Sequence, residues 1–435
     1  MTAAAAAKTG RGTGRARWGI AGVLGAGMFV NYADRVNLSI AATPMMREFG
    51  LTAGQLGMVA SAFLWTYTVL QLPVGQLVDR IGVRWINRIA ALLWALASFL
   101  TAAAGGLGLL LVSRLILGVG EAPTVPAGWK ATGYWFPKQE RGMCTAIFDG
   151  ASKVSNVLGV PVMAFLVSGY GWQAAFLFTG VLSLLYAAAF WILYREPKEA
   201  LADGKLSREE YDYIRDGGAQ DEQAETPPVL TGLGYLLRRR KTWGLALGYA
   251  AYTYAYYVLL TWLPSYLERQ LGMSLLSGGM YTVIPWIVAV TAELLVVGWL
   301  MDRWIRRGGG LTRVRRVVLI SSMLLSLSIT GAAFTTSVPV ALAFLSLGAA
   351  GLAVSAPAGA SIVALIAPEG MTGALGGIVN FAANLLGLSA PIVTGFIVDA
   401  TGSFSSAFVV TGVVVLAGIL CYTLLLGRIE QLPRP

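Results

Sequence analysis

Histidine is absent from the 435-residue sequence, and cysteine occurs twice. The first absence removes the commonest metal ligand and the side chain that most readily changes charge near neutrality. Proton chemistry in this chain must therefore run on carboxylates. Cys144 and Cys421 both fall in apolar stretches, so they offer neither a disulfide framework nor a metal-ligand spacing. Charge is scarce too. Asp, Glu, Lys and Arg make up 12% of the chain, whereas soluble domains carry roughly 25%.

What fills the chain instead is apolar: 56% of the residues are hydrophobic. Runs of 18 or more such residues recur along the whole length. Crossing a hydrocarbon core of about 30 Å takes about 20 helical residues. The runs are continuous rather than alternating at period two, which excludes a transmembrane β-barrel. The expected class is an all-α integral membrane protein with twelve spans, at about 18–40, 56–78, 86–105, 107–128, 143–168, 172–194, 243–267, 279–301, 316–335, 338–366, 373–397 and 405–426.

A polar loop at 195–242 divides the spans into an N-terminal half, 18–194, and a C-terminal half, 243–426. Within it, "LSREEYDYI" has a capping serine followed by helix formers, which predicts a short surface helix. The basic start, residues 1–17, resembles a signal peptide. The apolar run behind it is too long for one, so a retained tail and a first span are expected.

The formal net charge is +10. With both termini, 1–17 and 427–435, placed in the cytoplasm, nearly all Lys and Arg fall on that side. Only Arg47 and Arg269 lie in connections on the other side, and Arg35, Arg114 and Lys153 lie inside spans. The basic excess is thus an orientation signal, and nucleic-acid binding loses its support. The expected location is the inner (cytoplasmic) membrane, with the lipid bilayer as partner and a monomer as working unit.

The chain also repeats itself. "GQLVDRIGVR" at 75–84 closes the second span and "GWLMDRWIRR" at 298–307 closes the eighth. Gly75 corresponds to Gly298 and Asp79 to Asp302, at the same offset of 223 residues. Two parallel six-helix halves are a transporter architecture, with the substrate held between the halves near mid-membrane.

The motif Gly75, Leu77, Asp79, Arg80, Gly82, Arg84 resembles the loop signature of the major facilitator superfamily, and the stretch with Asp302 and Arg303 resembles a degenerate second copy. Four further stretches, "NYADRVNLSIAA", "SAFLWTYTVLQLPVGQLVDRIG", "SRLILGVGEAPTVPAGWKATGYWFP" and "NFAANLLGLSAPIVTGFIVDATGSF", are similar to its anion–cation symporter branch. Bacterial members of that branch move galactonate, glucarate, hexuronates, tartrate and phthalate derivatives together with protons. The resemblance implies a gating role for Asp79 and Arg80.

Charges inside spans are the candidate site. A charge at the bilayer centre costs roughly 2.5–3.5 kcal/mol on insertion scales, so such a residue is a functional candidate by default. Asp34 and Arg35 are adjacent and point about 100° apart around a helix, so each needs its own partner. Arg114 and Glu121 are two helical turns apart on one face, about 10 Å along the axis. Gly118 lies between them, and Pro123 and Pro126 should bend the end of that span. Arg35 and Arg114 offer planar, bidentate sites for a carboxylate. Asp34 and Glu121 are the candidate proton carriers, and the resemblance implies the same division of labour.

Tyr67 is a candidate phenol donor. Asn380 and Asn384, four residues apart, offer amide donors; the branch uses an asparagine in this helix without fixing which of the two. Ser355 and Ser361 are weaker candidates, because serine in spans is common packing glue. Asp149 and Lys153, four apart in span 5, depart from the sugar-acid members, which have uncharged polar residues there. Lys153 is expected either to face the cavity as an extra cation for a diacid or to pair locally with Asp149. Glu293 is a deep carboxylate with no assigned role.

The function expected is proton-coupled symport of a small organic carboxylate by alternating access, with protons as coupling ion and no cofactor or metal. Antiport or uniport of the same anion, and a transporter-like sensor, are the alternatives. An enzyme is disfavoured: histidine is missing and no nucleophile–base set stands out.

Overall fold

The computed structural model describes residues 14–51, 53–222, 229–271, 275–401 and 403–434. Among them there is no strand, and twelve long helical segments account for most of the chain. In chain order these are α1 (Ala16–Phe49), α2 (Ala53–Ile81), α3 (Val83–Ala102), α4 (Leu107–Trp135), α5 (Arg141–Tyr170) and α6 (Trp172–Leu193). The second half holds α7 (Arg240–Arg269), α8 (Leu275–Glu293, extended to Arg306), α9 (Leu311–Ser326, extended to Phe334), α10 (Val338–Ile366), α11 (Thr372–Thr401) and α12 (Phe404–Leu424). Three short helices lie between the halves, among them Arg208–Asp216, whose N-cap Ser207 side chain accepts from the Glu210 N–H as its sequence predicts.

Ten of the twelve are long and apolar enough to cross a bilayer; α1 and α7 are as long but more polar. Asn31, Asp34, Arg35 and Asn37 dilute the apolar run of α1, and six tyrosines do the same in α7. These two helices carry polar side chains because they face the interior of the bundle rather than lipid.

Several helices are longer than their apolar runs. The fourth reaches Trp135 rather than about 128, so Lys130 sits buried inside a helix and not in a connection. A buried helical turn bonded to protein needs no lipid-facing hydrophobicity, which is why hydropathy ends the span too early. α4 is interrupted where its prolines begin: the first segment stops at Glu121 and a second resumes at Thr124, across Ala122 and Pro123. In α8 the helix widens to a π-helical stretch over Leu294–Met301, directly after Glu293.

Helix packing repeats between the halves. α1 packs along α5 as α7 packs along α11, and α2 along α4 as α8 along α10. Across the seam, α2 lies on α11 and α5 lies on the π-helical part of α8. The two cross-seam pairs are equivalent to each other: in each, the second helix of one half lies on the fifth helix of the other.

Candidate functional site

A cavity of about 80 Å³ lies on the seam between the halves. Arg35, Tyr67, Asp149 and Lys153 line it from the first half. Tyr249, Tyr252, Tyr256, Tyr257, Asn380 and Asn384 line it from the second. A second pocket, of about 310 Å³, meets it at Arg35 and contains Arg114, Leu38, Phe63 and Tyr257. The two guanidiniums expected to bind an anion are therefore brought together in this second pocket, and only Arg35 also reaches the central cavity.

Arg35 grips Glu121 with both Nε and Nη2, at 2.8 and 2.7 Å. Its guanidinium also lies 4.8–5.0 Å from the ring centres of Tyr32, Phe63 and Tyr67. Stacking on π faces holds a planar cation in place while leaving an edge available. Glu121 is fully buried. Its Oε2 takes both bonds from Arg35, and its Oε1 receives none among the described residues. A buried carboxylate oxygen without a donor is costly, and it is the atom at which a proton would be accepted.

Asp34 takes a different environment, as the angle between neighbours requires. Its oxygens accept from Ser98 Oγ at 2.9 Å and Ser183 Oγ at 3.4 Å, inside the first half. Arg114 makes no ion pair among the described residues; it lies 5.2 Å from the Phe176 ring centre, with its buried Nε lacking an acceptor.

Asn380 donates to Gln71 Oε1 at 2.9 Å and to the Tyr67 hydroxyl at 3.4 Å, both across the seam. Asn384 donates instead to the Asn380 carbonyl at 2.7 Å, within its own helix. Ser355 bonds back to Leu352 O, and Ser361 accepts from Arg315; neither lines the cavity. Lys153 does both things its sequence left open. It lines the cavity and pairs with Asp149, and it also reaches Glu293 Oε2 of the other half at 2.8 Å.

On the side of the bundle that carries the central loop, the seam is shut. Asp79 accepts from the backbone N–H groups of Gly373 and Ala374, at 2.9 and 2.7 Å, and pairs with Lys130 at 3.0 Å. It thus places a carboxylate on the N-terminus of α11, where unpaired N–H groups and the helix dipole favour an anion. Asp302 does the same at the start of α5, accepting from Met143 N–H at 2.9 Å. The two motif aspartates are equivalent in the fold as in the sequence.

Gly75 must be glycine for contact: a Cβ there would overlap the Gly373 carbonyl and the Gly377 backbone. Gly82 has φ +86°, a left-handed conformation suited to the turn out of α2. Arg84 pairs with Glu199 of the central loop, Arg80 is exposed, and Arg303 stacks 5.2 Å from Trp299. Further seam contacts come from Arg141, which donates to Ala364 O at 2.9 Å, and Gln220, which donates to the same carbonyl and accepts from Thr372.

Several of these residues escape a reading of spans. Lys130, Arg141 and Arg315 read as loop charges, and Gln220 as loop filler. The tyrosine wall did leave a signal: residues 249, 252, 253, 256 and 257 recur at helical spacing on one face of "YAAYTYAYY".

Comparison with known proteins agrees with the fold. The model of the Major Facilitator Superfamily matches residues 24–312 and 308–435. An uncharacterized transporter of Bacillus subtilis, YybO, is 39% identical, with 96% of each chain covered. The D-galactonate transporter of Escherichia coli O6:H1 is 33% identical over 92% of this chain and 93% of its own. A probable galactarate/D-glucarate transporter of Bacillus subtilis, GudP, is also 33% identical, over 95% and 93%. Among solved structures, the transporter FucP in its outward conformation superimposes with a TM-score of 0.73 at 17% identity, over 94% and 99%. The proton:xylose symporter XylE gives 0.72 at 16%, over 96% and 98%.

Proposed function

The chain belongs to the Major Facilitator Superfamily, and from that premise we propose that it carries a small organic carboxylate together with protons by alternating access. One observation carries the reading. At the wall of a cavity between the halves, Arg35 is tied to a buried Glu121 that keeps one oxygen without a donor. Such a pair links the two cargoes. A proton on Glu121 weakens its hold on Arg35, and the freed guanidinium takes the carboxylate of the substrate. Loss of the proton restores the pair and expels the anion.

The sugar-acid relatives support the substrate class, and the tyrosine and asparagine donors of the second half suit a hydroxylated acid. Asp34, held by two serines away from the cavity, serves as a second proton site near Arg114. The closed seam is the cytoplasmic one in this reading, since the basic loops lie on that side. The second pocket then leads the anion inward from the far side, past Arg114 to Arg35. The membrane is the inner membrane.

The test is uptake of sugar acids, diacids and aromatic acids into proteoliposomes, driven in turn by inward proton and sodium gradients. Accumulation should follow the proton gradient and collapse with a protonophore. Sodium-driven uptake that ignores the protonophore would overturn the coupling, and obligatory exchange without net uptake would make the protein an antiporter.

A further inference from the structure

The ion cluster at Asp149, Lys153 and Glu293 has no part in that cycle. Lys153 is buried at the cavity wall between two carboxylates, one from its own helix and one from α8 of the other half. Glu293 is wholly buried, and its Oε1 receives no hydrogen bond among the described residues. Two carboxylates thus compete for one ammonium, and an unsatisfied oxygen lies beside the cavity. The other groups around it cannot balance the excess. α7 presents the phenols of Tyr249, Tyr252 and Tyr256, and α1 presents Tyr32 and an Arg35 already committed to Glu121. Within two turns of Glu293, α8 carries no other titratable residue, and α10 carries no charged residue along its whole length.

Resting on the function proposed above, we propose that Lys153 is a second anion-binding cation, masked by Glu293 until an acid with two carboxylates enters. One substrate carboxylate goes to Arg35. The other replaces Glu293 at the Lys153 ammonium. Glu293 then takes one proton from the water of the open side and remains as a neutral acid. A diacid brings one more negative charge than a monoacid and, by this exchange, one more proton. The Lys153–Glu293 pair also crosses the seam, so its exchange loosens a mid-depth tie between halves at the moment of loading.

Galactonate and galactarate are a matched pair of probes: same carbon chain, one carboxylate or two. Titration calorimetry of purified protein in buffers of different ionisation enthalpy reads both affinity and protons taken up. Galactarate should bind with one proton more than galactonate, and Glu293→Gln should erase that difference. Lys153→Met should weaken galactarate about ten- to a hundredfold more than galactonate, the value of one charge-assisted bond. Lys153→Met alone strands two buried carboxylates, so the same ratio is read in Lys153→Met/Glu293→Gln. Equal proton counts for the two acids, or equal losses in the double variant, would refute the masked cation. Binding of galactonate alone would also refute it while leaving the proposed function standing. Failure of wild-type protein to bind either acid would refute the masked cation as well, and the proposed function is decided separately by the uptake panel.

Discussion

Glu121 and Arg35 form a pair in which each residue needs the other for a different reason. Arg35 holds the only bonds Glu121 receives among the described residues, and Glu121 occupies two of the three guanidinium nitrogens. Glutamine at 121 imitates the protonated acid: its amide oxygen still accepts, but no proton can be released. Glu121→Gln should therefore exchange substrate across the membrane in counterflow while failing to accumulate it under a proton gradient. Normal accumulation would take the coupling role from Glu121. Arg35→Lys keeps the charge and loses the planar fork and the ring stacking. Substrate affinity should fall about ten- to a hundredfold, the worth of a charge-assisted hydrogen bond. Unchanged affinity in the purified variant would remove Arg35 from the binding site.

At the scale of helices, the closed seam depends on two kinds of contact: carboxylates on helix N-termini, and backbone meeting backbone where side chains are missing. α2 and α11 approach so closely because Gly75 opposes Gly373 and Gly377. Valine at 75 would force its Cβ into the Gly373 carbonyl, which cannot swing aside as a side chain would. Overpacking of this kind costs about 1–3 kcal/mol. Here it falls on one conformation only, since the contact exists where the loop side is shut. Gly75→Val should lower the rate of transport by about tenfold or more while substrate affinity measured on purified protein changes much less. Equal wild-type rates would show that the α2–α11 contact is not required for the cycle. The central loop belongs to the same closure through Gln220, which bonds to both Ala364 and Thr372 of the second half.

At the scale of the whole molecule, membrane insertion and internal repetition were legible because both are properties of composition and spacing. Continuous apolar runs need nothing but length to declare themselves, and the offset between Asp79 and Asp302 is visible as text. The structure then shows why the repeat exists: each aspartate caps a helix of the opposite half. Individual candidate residues were legible as charges in the wrong solvent, which is how Asp34, Arg35, Arg114, Glu121 and Lys153 stand out. Their partners were not. Arg35 meets Glu121 across 86 residues of chain, and Lys153 meets Glu293 across 140. No local pattern encodes such distances; helix packing does. Lys130 and Arg141 were hidden for the converse reason. Burial against protein rather than lipid lets a helix carry charge beyond its apolar run. The sequence by itself determined a chain that must lie in a membrane, in two similar halves, with ions it cannot leave unpaired. Which ions pair, and which oxygen is left without a donor, only the tertiary structure decided, because pairing is set by distances in space that the chain reaches by folding.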